Sequence, residues 1–361
     1  MSDISDTELE LEPSASEQAD LDIDNAPYKI RTQGADLTLE LYSQKIDSGE
    51  IVIPPFQRKY VWTPKKASRL IESFLLGLPV PQIFLFQEAT KRDLLVVDGQ
   101  QRLLSTHYFL RGKWFDETTT FYLTGVQPRW EGKKFDDLEE GDKRRLKNYI
   151  LRATIFEQID PADNRSVYEI FERLNTGGMP LTEQEVRNCV NRGPINEFLE
   201  ELNMCTAWRS LLGKEEPDRR MKDVELILRV LSLIEDWSGY HKPMKDFISD
   251  YMQKKTNIAE KEQTVLKQKF ESVADFIFKE AGPTAFRVAS GRINTGILDS
   301  VMTAVALIGP EQITDFTQRL ERLKIDVAYM NYASQATTND EAVTGRIKMA
   351  KEALRPSTVI A

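Results

Sequence analysis

The stretch that decides how the first half of this chain folds is LLVVDGQQRLL, residues 94–104. Its apolar start predicts a buried strand, and Asp98-Gly99 then turns the chain directly into a helix. Gly99 permits a sharp turn and the close approach of a ligand, because it has no side chain. The first turn of the helix presents unpaired N–H groups and about half a positive charge, which together favour an anion. This turn therefore predicts a phosphate-binding site.

The polar side chains of this turn suit phosphate chemistry. Arg102 lies one turn into the helix, where its guanidinium can donate two N–H bonds to phosphate oxygens. Asp98, at the strand end, can hold a magnesium ion that bridges phosphates. Gln100 or Gln101 can orient a water or read a base edge. The structural alternative is that Asp98 only caps the helix and that the next three residues form an ordinary polar first turn.

Strands and helices alternate on both sides of this turn. The predicted strands are residues 51–53, 82–87, 93–97, 121–123 and 152–158, of which the second and third form a hairpin. The predicted helices are residues 37–48, 137–149 and one that begins at Thr63-Pro64, a hydroxyl N-cap followed by Pro.

From residue 164 onward the apolar spacing is almost entirely helical. The predicted helices are residues 165–174, 182–190, 194–203, 222–237, 262–280, 294–308 and 311–323. A length of 361 residues is natural for two domains plus tails. The fold class is therefore α+β, with an N-terminal α/β domain over residues 27–160 and an all-helical domain over residues 161–361.

The net charge of −9 is carried by the N-terminus. Residues 1–26 contain nine acidic side chains and no Lys or Arg; removing these nine from the 57 acidic residues leaves 48, which equals the 48 basic ones. We expect this tail to be disordered and solvating. A tail that mimics nucleic acid or docks a partner is the weaker alternative. The neutral remainder neither indicates nor excludes a nucleic-acid partner.

Cysteine use and apolar content predict a cytoplasmic protein. Cys189 and Cys205 form no C-x-x-C pattern, so we expect reduced thiols, not a disulfide or a zinc site. The N-terminus has no basic start followed by an apolar core, which predicts that there is no secretory signal. Residues 297–308, the longest nearly continuous apolar stretch, are too few and too polar to span a bilayer, so we expect no membrane association.

Two further clusters combine polar residues with aromatic residues or glycines. Residues 56–62, FQRKYVW, follow a double proline that fixes the backbone, so a rigid loop presents Gln57 and Arg58 beside aromatics. A buried aromatic turn is the structural alternative. In residues 171–182, FERLNTGGMPLT, a helix ends and Thr182 caps the next one, with Glu185 completing a capping box. Helix–turn–helix geometry explains most of this second cluster, but it does not require Arg173 and Asn175.

Several common active sites are absent from the sequence. His107 lies near the apolar face of its helix and is expected to be structural, and His241 is expected in an exposed loop. Two isolated histidines do not assemble a zinc site, a histidine-based nuclease or a Ser-His-Asp centre. The P-loop pattern G-x-x-x-x-G-K-[ST] is also missing, so a nucleotide must be held in another way.

In their order along the chain, the three clusters resemble the GmrSD restriction endonuclease N-terminal domain family, also called domain of unknown function 262. The matching motifs are Pro-x-Phe-Gln-Arg-x-Tyr-x-Trp, Val-Asp-Gly-Gln-Gln-Arg and Phe-x-Arg-Leu-Asn-Thr-Gly-Gly-x-x-Leu-Thr, within residues 30–190. The family looks like a member of the ParB and sulfiredoxin superfamily, whose members bind nucleotide phosphates at a comparable strand–turn–helix. The resemblance therefore implies a ParB/sulfiredoxin-like fold for the N-terminal domain.

The resemblance also implies a function. It implies binding or hydrolysis of a nucleoside triphosphate within bacterial anti-phage defence, by a family that acts on modified foreign DNA or senses modification of host DNA. The implied catalytic centre is Asp98, Gln100, Gln101 and Arg102, with magnesium at Asp98. The implied nucleotide-binding residues are Gln57, Arg58, Gly99, Arg173, Asn175 and Thr176.

Many relatives add a histidine-based HNH nuclease domain, and this chain has no suitable histidine motif. We therefore expect an NTP-hydrolysing regulatory component whose nuclease is a separate subunit. The alternative is a nucleotide-switched DNA-binding protein with little or no turnover. Direct cleavage of DNA at the same centre ranks last, because no multi-carboxylate cluster is evident. Either leading hypothesis is compatible with a homo-oligomer, and the helical domain suits recognition, dimerisation or partner docking.

Overall fold

The computed structural model describes residues 9–12, 29–53, 60–87, 92–159, 170, 173, 182–334 and 338–355. The chain divides into two compact units, Ala26–Leu181 and Met1–Asn25 with Thr182–Ala361. A mixed sheet with helices is followed by a helical region, which confirms the α+β class. The predicted boundary after residue 160 adjoins residues outside this description and stays a prediction, as does the ParB/sulfiredoxin-like kinship.

Five strands of the first unit form one mixed sheet in the order β1-β5-β3-β4-β2. They are β1 (Ile30–Thr38), β2 (Ile51–Val52), β3 (Ile83–Gln87), β4 (Leu94–Asp98) and β5 (Ile150–Gln158). Strands β3 and β4 are antiparallel, so the predicted hairpin is confirmed. Strand β2 is parallel to β4. The carboxyl ends of β2 and β4 therefore face the same edge of the sheet, where α/β proteins commonly bind ligands.

Four α-helices pack with this sheet. They are α1 (Leu39–Asp47), α2 (Pro64–Leu75), α3 (Gln100–Arg111) and α4 (Glu140–Asn148). Helix α2 begins as predicted, since the Thr63 hydroxyl accepts the Lys66 N–H at 3.3 Å. Helix α3 contacts α1 and α2 and buries Leu103, Leu104 and Phe109. Burial of this face fixes the position of the helix start that follows Asp98-Gly99.

One strand was missed and one predicted strand is wrong, each for a physical reason. Strand β1 was not predicted because it pairs only with β5 at the sheet edge and is largely exposed, so it lacks an apolar alternation. The strand predicted at residues 121–123 is wrong. Phe121 and Leu123 are buried, but their N–H groups bond Gly112 O at 3.2 Å and Lys133 O at 2.9 Å in a loop. Apolar alternation there reflects burial without strand pairing.

The second unit is helical in the part of the chain described here. Its helices are α5 (Glu183–Val190), α6 (Pro194–Asn203), α7 (Thr206–Leu212), α8 (Lys222–Asp236), α9 (Met244–Lys254), α10 (Glu260–Ala281), α11 (Thr295–Ile308), α12 (Phe316–Ile325), α13 (Val327–Ser334) and α14 (Asp340–Leu354). Most of these confirm predicted helices, but α7, α9, α13 and α14 were missed. The prediction for residues 165–174 lies almost wholly outside the described residues.

A buried ion cluster lies inside this unit. Asp299 accepts Arg229 Nε at 2.7 Å and Arg346 Nε and Nη2 at 2.8 and 2.7 Å. The carboxylate is fully buried, and so is the Arg346 side chain. Such a cluster needs all its partners, because an unpaired buried charge is strongly destabilising.

Part of the acidic tail is ordered. Leu9 is 3% exposed and belongs to the core of the helical unit, and its N–H donates to Asp218 Oδ2 at 2.7 Å. Leu11 forms a parallel bridge with Ile293. Residues 9–12 therefore pack on the helical unit, because the leucines between the acids supply apolar surface that the charge count ignored. No helix among the described residues is long and apolar enough to cross a membrane.

Candidate functional site

The turn between β4 and α3 depends on a glycine. Gly99 has φ 99° and ψ 8°, in the left-handed region, and is the N-cap of α3. A Cβ at this position would lie 2.3 Å from Cγ2 of Ile83 and 2.8 Å from its Cβ. Both the backbone angle and this contact therefore require glycine. The residue lets the strand pass into the helix while its backbone stays pressed against β3.

A bulge in β4 sets the direction of Asp98. Phe84 pairs with Asp98 but Leu85 pairs with Val96, so the β4 side of the ladder has one extra residue, Val97. Bulges of this kind re-aim the side chains that follow them and are frequent beside active sites. Asp98 is thereby placed at the carboxyl end of β4, directly before the Gly99 turn.

The guanidinium of Arg102 is held by the protein. Its Nη1 donates to Pro81 O at 2.5 Å and to Gln82 O at 2.8 Å, and its Nη2 donates to Asp98 Oδ2 at 2.6 Å. The Arg102 side chain is 14% exposed, whereas that of Asp98 is 36% exposed. Arg102 thus fixes the chain entering β3 and orients the carboxylate of Asp98. The other carboxylate oxygen, Oδ1, accepts no hydrogen bond from the described part of the chain.

Gln101 joins the FQRKYVW motif, residues 56–62, to the same helix. Its Oε1 accepts the N–H groups of Val61 and Trp62 at 3.0 and 3.2 Å. One turn along α3, Ser105 Oγ donates to Gln101 O at 2.6 Å and accepts the Tyr60 hydroxyl at 2.7 Å. Burial raises the pKa of Tyr60 to about 12, so this hydroxyl stays protonated and can donate. The end of the FQRKYVW motif is therefore anchored on α3 beside the turn.

The remaining predicted site residues are described only in part. Gln100 is half-buried in the first turn of α3, and Arg173 is exposed. Gln57, Arg58, Asn175 and Thr176 lie outside the described residues, so their roles stay predictions. The capping box at the end of the third motif is confirmed: Thr182 N–H donates to Glu185 Oε2 at 2.5 Å, and Glu185 N–H donates to Thr182 Oγ1 at 3.2 Å.

Some residues that build the site were not predicted. The hydrogen bond between Tyr60 and Ser105 holds the FQRKYVW motif on α3, and Ile83 packs directly against Gly99. Ser105 lies four residues after Gln101, and the i,i+4 spacing could have indicated their shared helix face. No sequence rule indicates the backbone carbonyls that receive Arg102. His107, as expected, is structural: it is buried, and its Nδ1 lies 3.0 Å from Ser43 Oγ.

Among the described residues, no three His, Cys, Asp or Glu side chains come together as a metal site. What the geometry defines is an α+β domain with a glycine-hinged helix start at the carboxyl ends of two parallel strands, flanked by one oriented carboxylate.

Residues 39–190 match the model of the family described as GmrSD restriction endonuclease, N-terminal domain. This match confirms the resemblance carried by the three motifs. The description of this family names a restriction endonuclease. A comparison with curated proteins finds no match.

Proposed function

We propose that this chain is a component of a restriction, or anti-phage, system that acts on DNA, and that the start of α3 binds the phosphates of a nucleoside triphosphate. Hydrolysis of the nucleotide there regulates that system. The observation that carries the proposal is the Gly99 turn. Its left-handed backbone, packed against Ile83, brings β4 into α3 at the mouth of the site. The N-cap residue, Gly99, has no side chain that could cap the helix, and the first turn of α3 contains no acidic residue.

An anion is favoured at such a helix start for two reasons. The first-turn N–H groups lack intrahelical acceptors, and the helix dipole adds partial positive charge. A phosphate placed there can satisfy several N–H groups at once, as at other phosphate-binding turns. Gly99 adds no Cβ that would keep the phosphate away from the backbone.

The residues present fit a magnesium ion that would be held mainly by the phosphate oxygens of the nucleotide and by water. Mg²⁺ in nucleotide sites uses one or two protein carboxylates together with phosphate and water oxygens. Asp98 would be that carboxylate, through Oδ1, since Oδ2 accepts the Arg102 bond. When bound, the ion neutralises charge on the transferred phosphoryl group.

We assign different roles to the residues of the Asp98–Arg102 motif, and their contacts support this assignment. Arg102 and Gln101 are positioning residues, because their polar atoms bind protein backbone or Asp98. We assign the phosphate clamp to Arg58, whose motif is anchored beside α3 through Tyr60 and Val61. Gln100 is assigned the orientation of the attacking water. Water attacks the γ-phosphorus, and the bond between the γ-phosphorus and the oxygen that bridges it to the β-phosphorus breaks. Nucleoside diphosphate, phosphate and a proton are released.

The test measures nucleotide binding and phosphate release separately. The full-length chain is supplied with magnesium and each ribonucleoside triphosphate, as wild type, Asp98→Asn, Arg58→Ala and Arg102→Lys. Loss of a charge-stabilising group typically lowers turnover about 10²–10³-fold. We expect losses of that order for Asp98→Asn and Arg58→Ala. Arg102→Lys should lose most of its turnover despite keeping its charge, because Lys cannot make the three fixed bonds.

Matched controls lie on the same domain. Arg111→Lys changes an arginine at the far end of α3, and Asp136→Asn changes a carboxylate whose side chain is 77% exposed. Both should retain wild-type turnover. Wild type that neither binds nor hydrolyses any nucleotide refutes the proposal. Binding without turnover, with salt-dependent DNA affinity that the nucleotide alters, supports the nucleotide-switched alternative instead.

A further inference from the structure

The N-terminal segment Leu9–Glu12 is bound by the helical unit like a peptide ligand. Two residues of this unit provide its backbone partners, and they lie more than 200 positions away: the separation from Leu9 to Asp218 is 209. Leu9 is 3% exposed in the core, Glu10 is exposed, and Leu11 and Glu12 are half-buried. A buried Leu9 beside an exposed Glu10 fits the alternation of an extended strand on a surface.

The backbone contacts are those of strand addition. Glu12 N–H donates to Ile293 O at 2.9 Å, and Ile293 N–H donates to Glu10 O at 3.2 Å. Ile293 also forms an isolated antiparallel bridge with Arg287, so this residue pairs with the segment on one side and with Arg287 on the other. Main-chain pairing of this kind gives affinity, and pockets for alternate side chains give specificity.

The two ends of the segment meet dedicated polar groups. The Leu9 N–H donates at 2.7 Å to Asp218 Oδ2, and Asp218 is only 5% exposed. The carboxylate of Glu12 accepts Asn294 Nδ2 at 2.5 Å. If the segment left, Asp218 Oδ2 would lose this N–H donor, and Asn294 would lose a carboxylate acceptor. The occupied groove therefore satisfies polar groups at both ends of the segment.

We propose that this groove, formed by Asp218, Ile293 and Asn294, is an exchangeable recognition site for a short acidic Leu-x-Leu-Glu segment. Its occupant is the protein's own segment, residues 9–12. One deeply buried leucine and a few hydrogen bonds hold the segment, a contact small enough to open. This site is independent of the nucleotide chemistry at α3.

The test uses full-length chains and a fluorescent peptide of residues 5–16, followed by anisotropy. Leu9→Asp/Leu11→Asp releases the chain's own segment and leaves every groove residue in place, so this variant should bind the peptide. Wild type should bind at least about 10-fold more weakly, because its own segment competes as an intramolecular ligand. Leu21→Asp, the same change elsewhere in the tail, should behave as wild type.

A milder variant guards against loss of folding in the double substitution. Leu9→Ala removes most of one buried side chain, which corresponds to roughly a 10-fold or greater loss of segment affinity. It should take up the peptide to an intermediate extent. A peptide carrying Leu9→Asp should bind none of the chains. The proposal is overturned if folded wild type and folded released variants bind the peptide equally, or if none of them binds it.

Discussion

Gly99→Ala is the substitution that most directly tests how the β4–α3 turn is built. Two separate penalties meet at this residue. An alanine at φ 99° occupies a region that L side chains rarely adopt. Its Cβ would also lie 2.3 Å from Ile83 Cγ2 and 2.8 Å from Ile83 Cβ, well inside van der Waals contact. Ile83 is fully buried in β3 and cannot swing aside, so the strands or the helix start must shift.

The size of the effect follows from these two terms. A side chain held in a sparsely populated backbone region costs about 1–3 kcal/mol. Forcing an extra methyl into a packed core costs about another 1–3 kcal/mol. Gly112, the C-cap of the same helix, separates the terms: it also has positive φ, 69°, but a Cβ there meets nothing within 4 Å. Gly112→Ala should show only the backbone cost.

Urea unfolding followed by tryptophan fluorescence measures both variants. Trp114 and Trp130 are buried in the unit that contains α3 and report its transition. Gly99→Ala should lower the free energy of unfolding by about 1–3 kcal/mol more than Gly112→Ala, at an unchanged urea dependence. It should also lose nucleotide affinity, because the first-turn N–H groups move. Equal destabilisation by the two alanines would show that the Ile83 contact is not limiting and would refute this account.

Two further predictions concern buried ionisable groups. Burial lowers the pKa of His107, so the unfolded chain gains a proton near pH 6.5 while the folded chain stays neutral; this stability is complete above that pH and is lost as pH falls through the folded pKa. Between about pH 7.5 and about pH 5.5, His107→Gln should therefore lose less stability than wild type; equal pH slopes in the two proteins would contradict this. Asp299→Ala should destabilise the helical unit by about 3–5 kcal/mol in thermal or urea unfolding, because two buried guanidinium groups lose their carboxylate, whereas Asp275→Ala on the exposed side of α10 should have little effect. A small effect of Asp299→Ala would mean that the cluster is not electrostatically coupled.

The features predicted well from the sequence are those whose cause is local. Thr63 before Pro64 and Thr182 before Glu185 cap helices as predicted, because each cap is complete within a few residues. The hairpin before Asp98 was predictable for the same reason. These local rules also located the turn at Gly99, although they gave no information on its contact with Ile83.

The features that were missed depend on distant partners. Strand β1 is defined by pairing with β5, more than a hundred residues away, and shows little periodicity of its own. Residues 9–12 are ordered because Asp218 and Ile293 receive them, and composition alone describes them only as an acidic tail. Charge counts predict solvation correctly only when no groove elsewhere in the chain accepts the intervening apolar side chains.

The Asp98–Arg102 motif shows why residue type alone does not assign roles within a site. Arginine suits a phosphate clamp, and glutamine suits a water, but the same donors and acceptors also suit backbone. Here Arg102 donates three hydrogen bonds, to Pro81 O, Gln82 O and Asp98 Oδ2. Gln101 accepts two N–H groups of the FQRKYVW motif. Both side chains therefore hold loops around the helix start. The groups that would contact the proposed ligand are then the first-turn N–H groups, Asp98 and the FQRKYVW motif. Substitutions at positions 101 and 102 should therefore act by displacing those groups.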